Sequence, residues 1–266
     1  MSALHVWIEG IGVLGPGLES WATSREMLCG ARPLVSAATV LPAPARLPPA
    51  ERRRAGAAVK LALAVADEAV AHAQADPARL ATVFASSSGE GVNCHALCET
   101  LASGAPLVSP TRFTNSVHNA ASGAWHIAVG SRAASTSLCA FDGSFGAGLI
   151  EAAVSVAHGG APLLLVASDS PYPEPLNSVR PLPDHFGLAL LLAPAATPRS
   201  IAALAITLVD AAHEPTRCDD AGLDALRRAV PAAAALPLLI ALARARPGQR
   251  VVLDYLAATR LQVELR

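Results

Sequence analysis

The sequence predicts an α/β fold in which helices cover a mixed sheet, and three observations predict it. Short apolar strand-like runs alternate with helical patterns along the whole chain, as in a layered α/β domain rather than a bundle or a sandwich. The run at 163–166 is apolar at every position, which suits a strand buried on both faces. Just before it, residues 147–157 form a helix apolar on nearly every side, and a helix with so little polar surface belongs in the interior. Gly159 and Gly160 separate the two.

Taken in order, residues 4–17 read as an alternating strand running into a glycine-rich bend. Glycines after a strand can cradle a phosphate, but the spacing is not G-x-G-x-x-G and no matching acidic residue follows, so a plain first strand with tight turns is expected. Residues 18–29 form a short helix stopped by Gly30, and the proline-rich segment 31–50 is a surface connection. Glu51-Arg52-Arg53-Arg54 opens an alanine-rich helix that reaches Gln74, with Leu61, Leu63, Val65 and Val70 among its apolar residues. Residues 81–91 are a buried strand ending in small polar residues, and strand ends of this kind face the functional side of an α/β sheet. A helix through Leu101 follows, and the segment 109–127 then sets Asn115, Ser116, His118, Asn119 and Ser122 in apolar surroundings. A strand at 134–138 and a small-residue turn at 140–146 lead into the apolar helix. A proline-stiffened loop at 168–175 precedes a strand at 186–192. The remainder supplies strands at 200–209, 250–256 and 262–265 and helices at 220–228 and 234–244.

Composition excludes several classes of function. With 52% hydrophobic and 15% charged residues the exterior is apolar enough that part of it is expected to be buried against a partner. A net charge of −1 leaves no electrostatic footprint for nucleic acid. The amino terminus lacks a basic region and carries Glu9 in its first apolar stretch, and the longest uncharged apolar run, 229–243, is short and broken by Pro231 and Pro237. Neither a signal peptide nor a membrane span is expected. Five cysteines at irregular spacing do not make a disulfide framework, so the cytoplasm is the expected compartment. Cys94 and Cys98 flank His95, but no second ligand pair follows, and neither a metal nor a cofactor is expected.

The order of these elements resembles the β-ketoacyl synthases of the thiolase fold, and among them the short synthase-like subunits called chain-length factors of aryl polyene pathways. The resemblance rests on Ile8-Glu-Gly-Ile-Gly-Val, the arginine-rich start of the alanine helix, Phe84-Ala-Ser-Ser-Ser-Gly, Ser116-Val-His-Asn-Ala and the strand, turn and helix around residue 142. Leu236-Pro-Leu-Leu-Ile-Ala-Leu and Gly248-Gln-Arg-Val-Val-Leu look like the closing helix and hairpin. It implies a thiolase-like layered fold of mixed five-stranded-type sheets, with residues 1–195 as a ketosynthase-like N-terminal half and 196–266 as a shortened C-terminal half.

In active relatives the turn before the buried helix carries Cys-x-x-Gly, the cysteine being activated by the helix terminus for acyl transfer. Counting back from Ala152 and Ala153 puts Asp142 in the cysteine position and Phe145 in the glycine position. The two histidines that stabilise the carbanion in such relatives have no counterpart either, because after Pro194 only His213 remains, in a segment that matches neither loop. The resemblance therefore implies a catalytically silent subunit forming a heterodimer with an active ketosynthase, in aryl polyene, polyketide or fatty-acid-type elongation on an acyl carrier protein. Phe113, His118, Asn119 and Phe145 are candidates for a tunnel wall or the interface, and Arg52, Arg53 and Arg54 for carrier-protein docking. Two alternatives remain. One is a self-sufficient synthase or acyltransferase using Cys139 or Ser144, with His118 as a possible base; Ser144 sits in Asp-Gly-Ser-Phe-Gly, close to G-x-S-x-G but not matching it. The other is a non-catalytic pathway scaffold.

Overall fold

Strand β1 (Leu4–Leu14) is the axis on which both halves of the chain meet, in a computed structural model that describes residues 3–266. The first half places β2 (Ala81–Ala85), β3 (Ser135–Leu138), β4 (Leu163–Asp169) and β5 (Phe186–Ala193) on one side of it. The second half adds β6 (Ala202–Asp210), β7 (Arg250–Leu256) and β8 (Thr259–Leu265) on the other, so the sheet runs β3-β2-β4-β5-β1-β6-β8-β7. Strand β2 is parallel to both β3 and β4, and every other pairing is antiparallel. The layered α/β architecture is thus as the sequence predicts. That second half contributes three strands to the shared sheet.

The strands distribute their side chains to two cores. On β4 and β5, Leu163, Leu165, Ala167, Leu188, Leu190 and Leu192 enter one core, while Leu164, Val166, Ala189 and Leu191 enter the other. This is the period-2 alternation of a strand applied to a sheet covered on both faces. Helix α1 (Trp21–Leu28), capped at Ser20, belongs to the first core. Helix α2 (Pro49–Arg54) and helix α3 (Ala57–Ala73) lie on the other side, where α3 packs with α6 (Ala120–Val129). The single helix expected over 51–74 is therefore two: the chain breaks at Ala55 and Gly56, and a Cβ on Gly56 would fall 2.5 Å from a carboxylate oxygen of Glu90.

Glycines 10 and 12 have a packing role. A Cβ on either would lie 2.1 Å from the carbonyl oxygen of Ala69 or Val65, so their absence of side chains lets β1 lie directly on α3. Beyond β2 the chain forms α4 (Gly91–Ala102) and the short α5 (Pro110–Thr114), an arm in which neither helix has a buried residue. Helix α7 (Ser144–Gly159) begins earlier than its apolar pattern suggests. It touches β1, β2, β4 and β7, and half of its residues are buried, which makes it an interior helix. After the short α8 (Leu176–Val179), helices α9 (Ala221–Ala229) and α10 (Leu236–Arg244) close the first core, joined by a 3-10 turn at Pro231–Ala235. No helix among the described residues is long and apolar enough to cross a membrane.

Candidate functional site

The C-terminal ends of β2, β3 and β4 converge on the start of α7, and this is where the small polar residues gather. Strand β3 leads through Cys139 into a 3-10 turn at Phe141–Gly143, and α7 starts directly after it. Two contacts fix this turn against the second half of the chain. A Cβ on Gly143 would lie 2.4 Å from the carbonyl oxygen of Tyr255, and one on Gly146 would lie 2.9 Å from its ring.

Phe141 adopts φ 51°, a left-handed backbone that costs a bulky residue on the order of 1–2 kcal/mol. Arg180 offsets part of that cost. Its guanidinium carbon stacks 3.6 Å from the centre of the Phe141 ring, with the Tyr172 ring at 5.8 Å, and an Nη donates to Asp142 Oδ1 at 2.6 Å. The cation is thus held between an aromatic face and a carboxylate, both supplied by adjacent residues of the turn. Asp142 is 70% exposed and faces a cleft of about 320 Å³ that Tyr255, Arg260 and the buried Arg227 also line. Arg227 bridges Asp224 at 2.9 Å and Asp254 at 2.8 Å, so its charge is spent within the protein.

Beneath the turn, Asp169 joins three segments. Its Oδ1 accepts hydrogen bonds from the Ser87 N–H at 2.7 Å, the Ser87 hydroxyl at 2.9 Å and the Ser86 hydroxyl at 3.2 Å, while Oδ2 accepts from the Ala232 N–H at 2.8 Å. Burial pushes its pKa up, and the four donors pull against that shift. The ends of β2 and β4 and the turn before α10 are tied together by this one side chain.

Of the remaining sequence candidates, His118, Cys139 and Ser144 fall around this hub. His118 is exposed, with Nε2 3.1 Å from the Ser86 carbonyl oxygen, and the exposed Cys139 thiol donates to the Ser87 carbonyl at 3.3 Å. The two are brought to neighbouring carbonyls of one turn. Ser144 is buried; its hydroxyl donates to the Phe141 carbonyl at 2.7 Å and accepts from the Ala140 N–H at 3.0 Å. Phe145 is fully buried in the first core, whereas Phe113 stands 69% exposed on α5. Asn119 is exposed at the start of α6. The arginine run lies apart on α2: Arg52 donates to the carbonyls of Ala45 at 2.7 Å and Leu47 at 3.1 Å, Arg54 pairs with Glu51 at 3.4 Å, and Arg53 is exposed.

Sequence reasoning missed Arg180, Tyr172, Asp169 and Tyr255. Asp169 carried a readable signal, as the first acidic residue after an all-apolar strand. Arg180 carried none, because the carboxylate it holds lies 38 residues upstream. Among the described residues no group of three or more histidine, cysteine or acidic side chains is placed to hold a metal. Chemically, the turn presents a carboxylate already paired to a guanidinium, a hydroxyl engaged by the backbone, and one exposed thiol.

Residues 25–236 match the family model described as beta-ketoacyl synthase, N-terminal domain. Among solved structures, the chain is similar to one in a complex of a ketosynthase, ApeO, with its chain length factor, ApeC, from Xenorhabdus doucetiae, with 22% identity and a TM-score of 0.74 over 98% of this chain and 99% of that one. A chain of the ishigamide ketosynthase/chain length factor matches at 17% identity and TM-score 0.72, again over 98% and 99%. A chain of a type II polyketide synthase acyl-carrier protein in complex with its ketosynthase bound to the hexaketide, AntDE:AntF, matches at 12% identity and TM-score 0.73, over the whole of both chains. At these identities the likeness is one of fold. No curated protein matches the sequence.

Proposed function

The chain belongs to the beta-ketoacyl synthase family, and on that premise we propose that it is a non-catalytic, chain-length-factor-like subunit that pairs with an active ketosynthase to elongate an acyl chain on a carrier protein. The observation that carries this reading is the turn before α7. Asp142 stands where counting along the helix puts the family's nucleophile, and its carboxylate is held by Arg180. A carboxylate paired to a guanidinium is a poor nucleophile and its acyl product would be a labile anhydride, so the position is suited to structure rather than to acyl transfer. In this reading residues 196–266 complete the fold begun by residues 1–195, and the product is a polyene or polyketide-type chain. Each of the three solved chains is matched over nearly its full length, so they are of similar size to this one, and each comes from a complex.

The pairing surface in this reading is the free edge of β3 with the arm beside it. Strand β3 is an edge strand whose first two residues are exposed. Among the described residues, seven of the fifteen exposed large apolar side chains lie between Val92 and Phe141, under a fifth of the chain, among them Leu107, Phe113 and Ile127. Such a concentration next to an open strand edge is what a partner subunit would cover. A carrier protein would meet Arg53 and Arg54; Arg52 is occupied by backbone carbonyls.

The exposed thiol of Cys139 is the observation that favours the alternative, a self-sufficient acyltransferase. One assay separates the two. The chain is co-purified with a full-length ketosynthase whose own cysteine is replaced, the complex is offered acyl and malonyl carrier proteins, and intact masses are measured. No adduct on this chain is expected, while the unmutated complex elongates and tolerates Asp142→Ala with little loss of rate. An acyl adduct on Cys139 or Ser144 would overturn the silent-subunit reading.

A further inference from the structure

Away from the turn before α7, a larger cavity of about 660 Å³ lies between the end of β1, the proline-rich strap of residues 31–48 and the outer face of α3. That volume is within the range of small-molecule sites. Its walls are mainly apolar, with Val13, Leu14, Val40, Pro42, Ala64 and Val65 among them. The strap is held in place over this space. The Gly17 N–H donates to the Ala37 carbonyl at 2.9 Å, the Thr39 N–H donates to Asp184 Oδ2 at 3.0 Å, and the Thr39 hydroxyl donates to the His185 carbonyl at 3.0 Å. Arg46 pairs with Asp67, and Arg52 closes the far end on Ala45. A segment anchored along its length and still standing off the helix beneath it leaves a pre-formed space.

The polar groups around this space are unequal. Asp67 is taken by Arg46, and Glu68 accepts the N–H groups of Val13 at 2.9 Å and Trp21 at 2.5 Å. Glu19 is exposed at the rim. Lys60 is the one lysine of the chain, and among the described residues no carboxylate lies in ion-pair contact with it; Glu90 acts on it only at longer range. Of the charged residues lining the cavity, Glu19 at the rim and Lys60 are thus the two without an ion-pair or side-chain hydrogen-bond partner among the described residues, and Lys60 is the cation of the two.

We propose that this cavity binds a small amphipathic carboxylate of the fatty-acid type, its apolar body against Val13, Leu14, Val40 and Ala64 and its carboxylate on Lys60. The position is separate from the turn before α7 and from the β3 edge, so the inference stands whether or not the silent-subunit reading does. A dansylated undecanoate probe titrated into the full-length chain should bind saturably at one site. Dodecanoate should displace it at least about tenfold more effectively than dodecanol or dodecyltrimethylammonium, a difference of about 1.4 kcal/mol. Lys60→Met should remove that preference while leaving dodecanol unchanged, and Ala64→Trp, which fills the cavity from a half-buried position on α3, should abolish binding. If Ala64→Trp does not fold, Ala38→Trp fills the same space from the strap. Binding that survives the filling substitution but is lost in Phe113→Asp would move the probe to the exposed arm and overturn the proposal. So would equal displacement by the carboxylate and the ammonium.

Discussion

Helices α4 and α7 each follow the C-terminal end of a parallel strand and both are rich in small and apolar residues, yet α7 buries eight residues and α4 buries none. The difference lies in what stands opposite. Helix α7 is covered by β2, β4 and β7 of the same chain, with glycines where strand and helix come closest; a Cβ on Gly148 would lie 2.8 Å from the Ala85 methyl and 3.1 Å from Leu165. Helix α4 lies in the arm that the rest of this chain leaves uncovered, with Val92 and Leu101 more than half exposed. Apolar content puts a helix in search of cover, and the fold decides whether the cover comes from the same chain.

The strongest way to break this contrast is to spoil the cover of α7. Gly148→Leu forces four carbons into a contact already closed by Ala85 and Leu165 and should cost ~3 kcal/mol or leave the chain insoluble, read by urea unfolding. The same size of change on the arm should do little to folding: Phe113→Asp should leave the unfolding midpoint within error. It should weaken binding to a full-length ketosynthase about a hundredfold, measured by calorimetry. Partner binding unchanged by Phe113→Asp would remove the arm from the interface.

Asp169 joins the two regions, and it sharpens the comparison from the middle. Asp169→Asn keeps one acceptor for the serines but turns an amide N–H₂ toward the Ala232 N–H, so it should cost about 1–3 kcal/mol. Because burial raises the folded pKa of Asp169, its contribution is fully present below the ordinary carboxylate value of 3.8 and is lost as the pH rises through the raised value. The stability gap between the parent and Asp169→Asn should therefore narrow as the pH rises from the ordinary carboxylate value through the raised one. A gap that widens over that interval would show that the four donors dominate burial. The gentlest test uses the thiols. Cys218 is buried on the core side with its pKa pushed up to about 12, whereas Cys94 and Cys98 are exposed on α4. Iodoacetamide at mild alkaline pH should label the arm thiols and spare Cys218 until urea is added; early labelling of Cys218 would mean that its surroundings open readily.

The parts of the molecule legible in the sequence are those whose cause is local. The apolar helix and the all-apolar strand after it are read from their own residues, and so is the strand that ends in serines. The break between α2 and α3 was not legible, since the group that excludes a side chain at Gly56 is Glu90, far along the chain. Helix α7 starts at Ser144 rather than three residues later because Ser144 and Gly143 are small enough to pack under Tyr255 and the Phe141 carbonyl, which no periodicity reports. Counting along α7 locates Asp142 but says nothing of Arg180, whose stacking on Phe141 holds the turn in its left-handed backbone. The cavity under the strap was equally silent, because prolines announce an irregular segment without saying how far it stands from the helix it crosses.

The central place of β1 has a consequence for how the molecule is made. Its hydrogen-bond partners are β5 and β6, so once it has left the ribosome this strand must wait until residues 186–210 have been synthesised before both of its edges are satisfied. At ordinary synthesis rates that delay is roughly ten to forty seconds, during which an apolar strand resting on α3 presents two unpaired edges. Such long-range pairing slows folding and leaves the nascent chain dependent on protection from aggregation. A chain interrupted before β5 would strand β1 altogether.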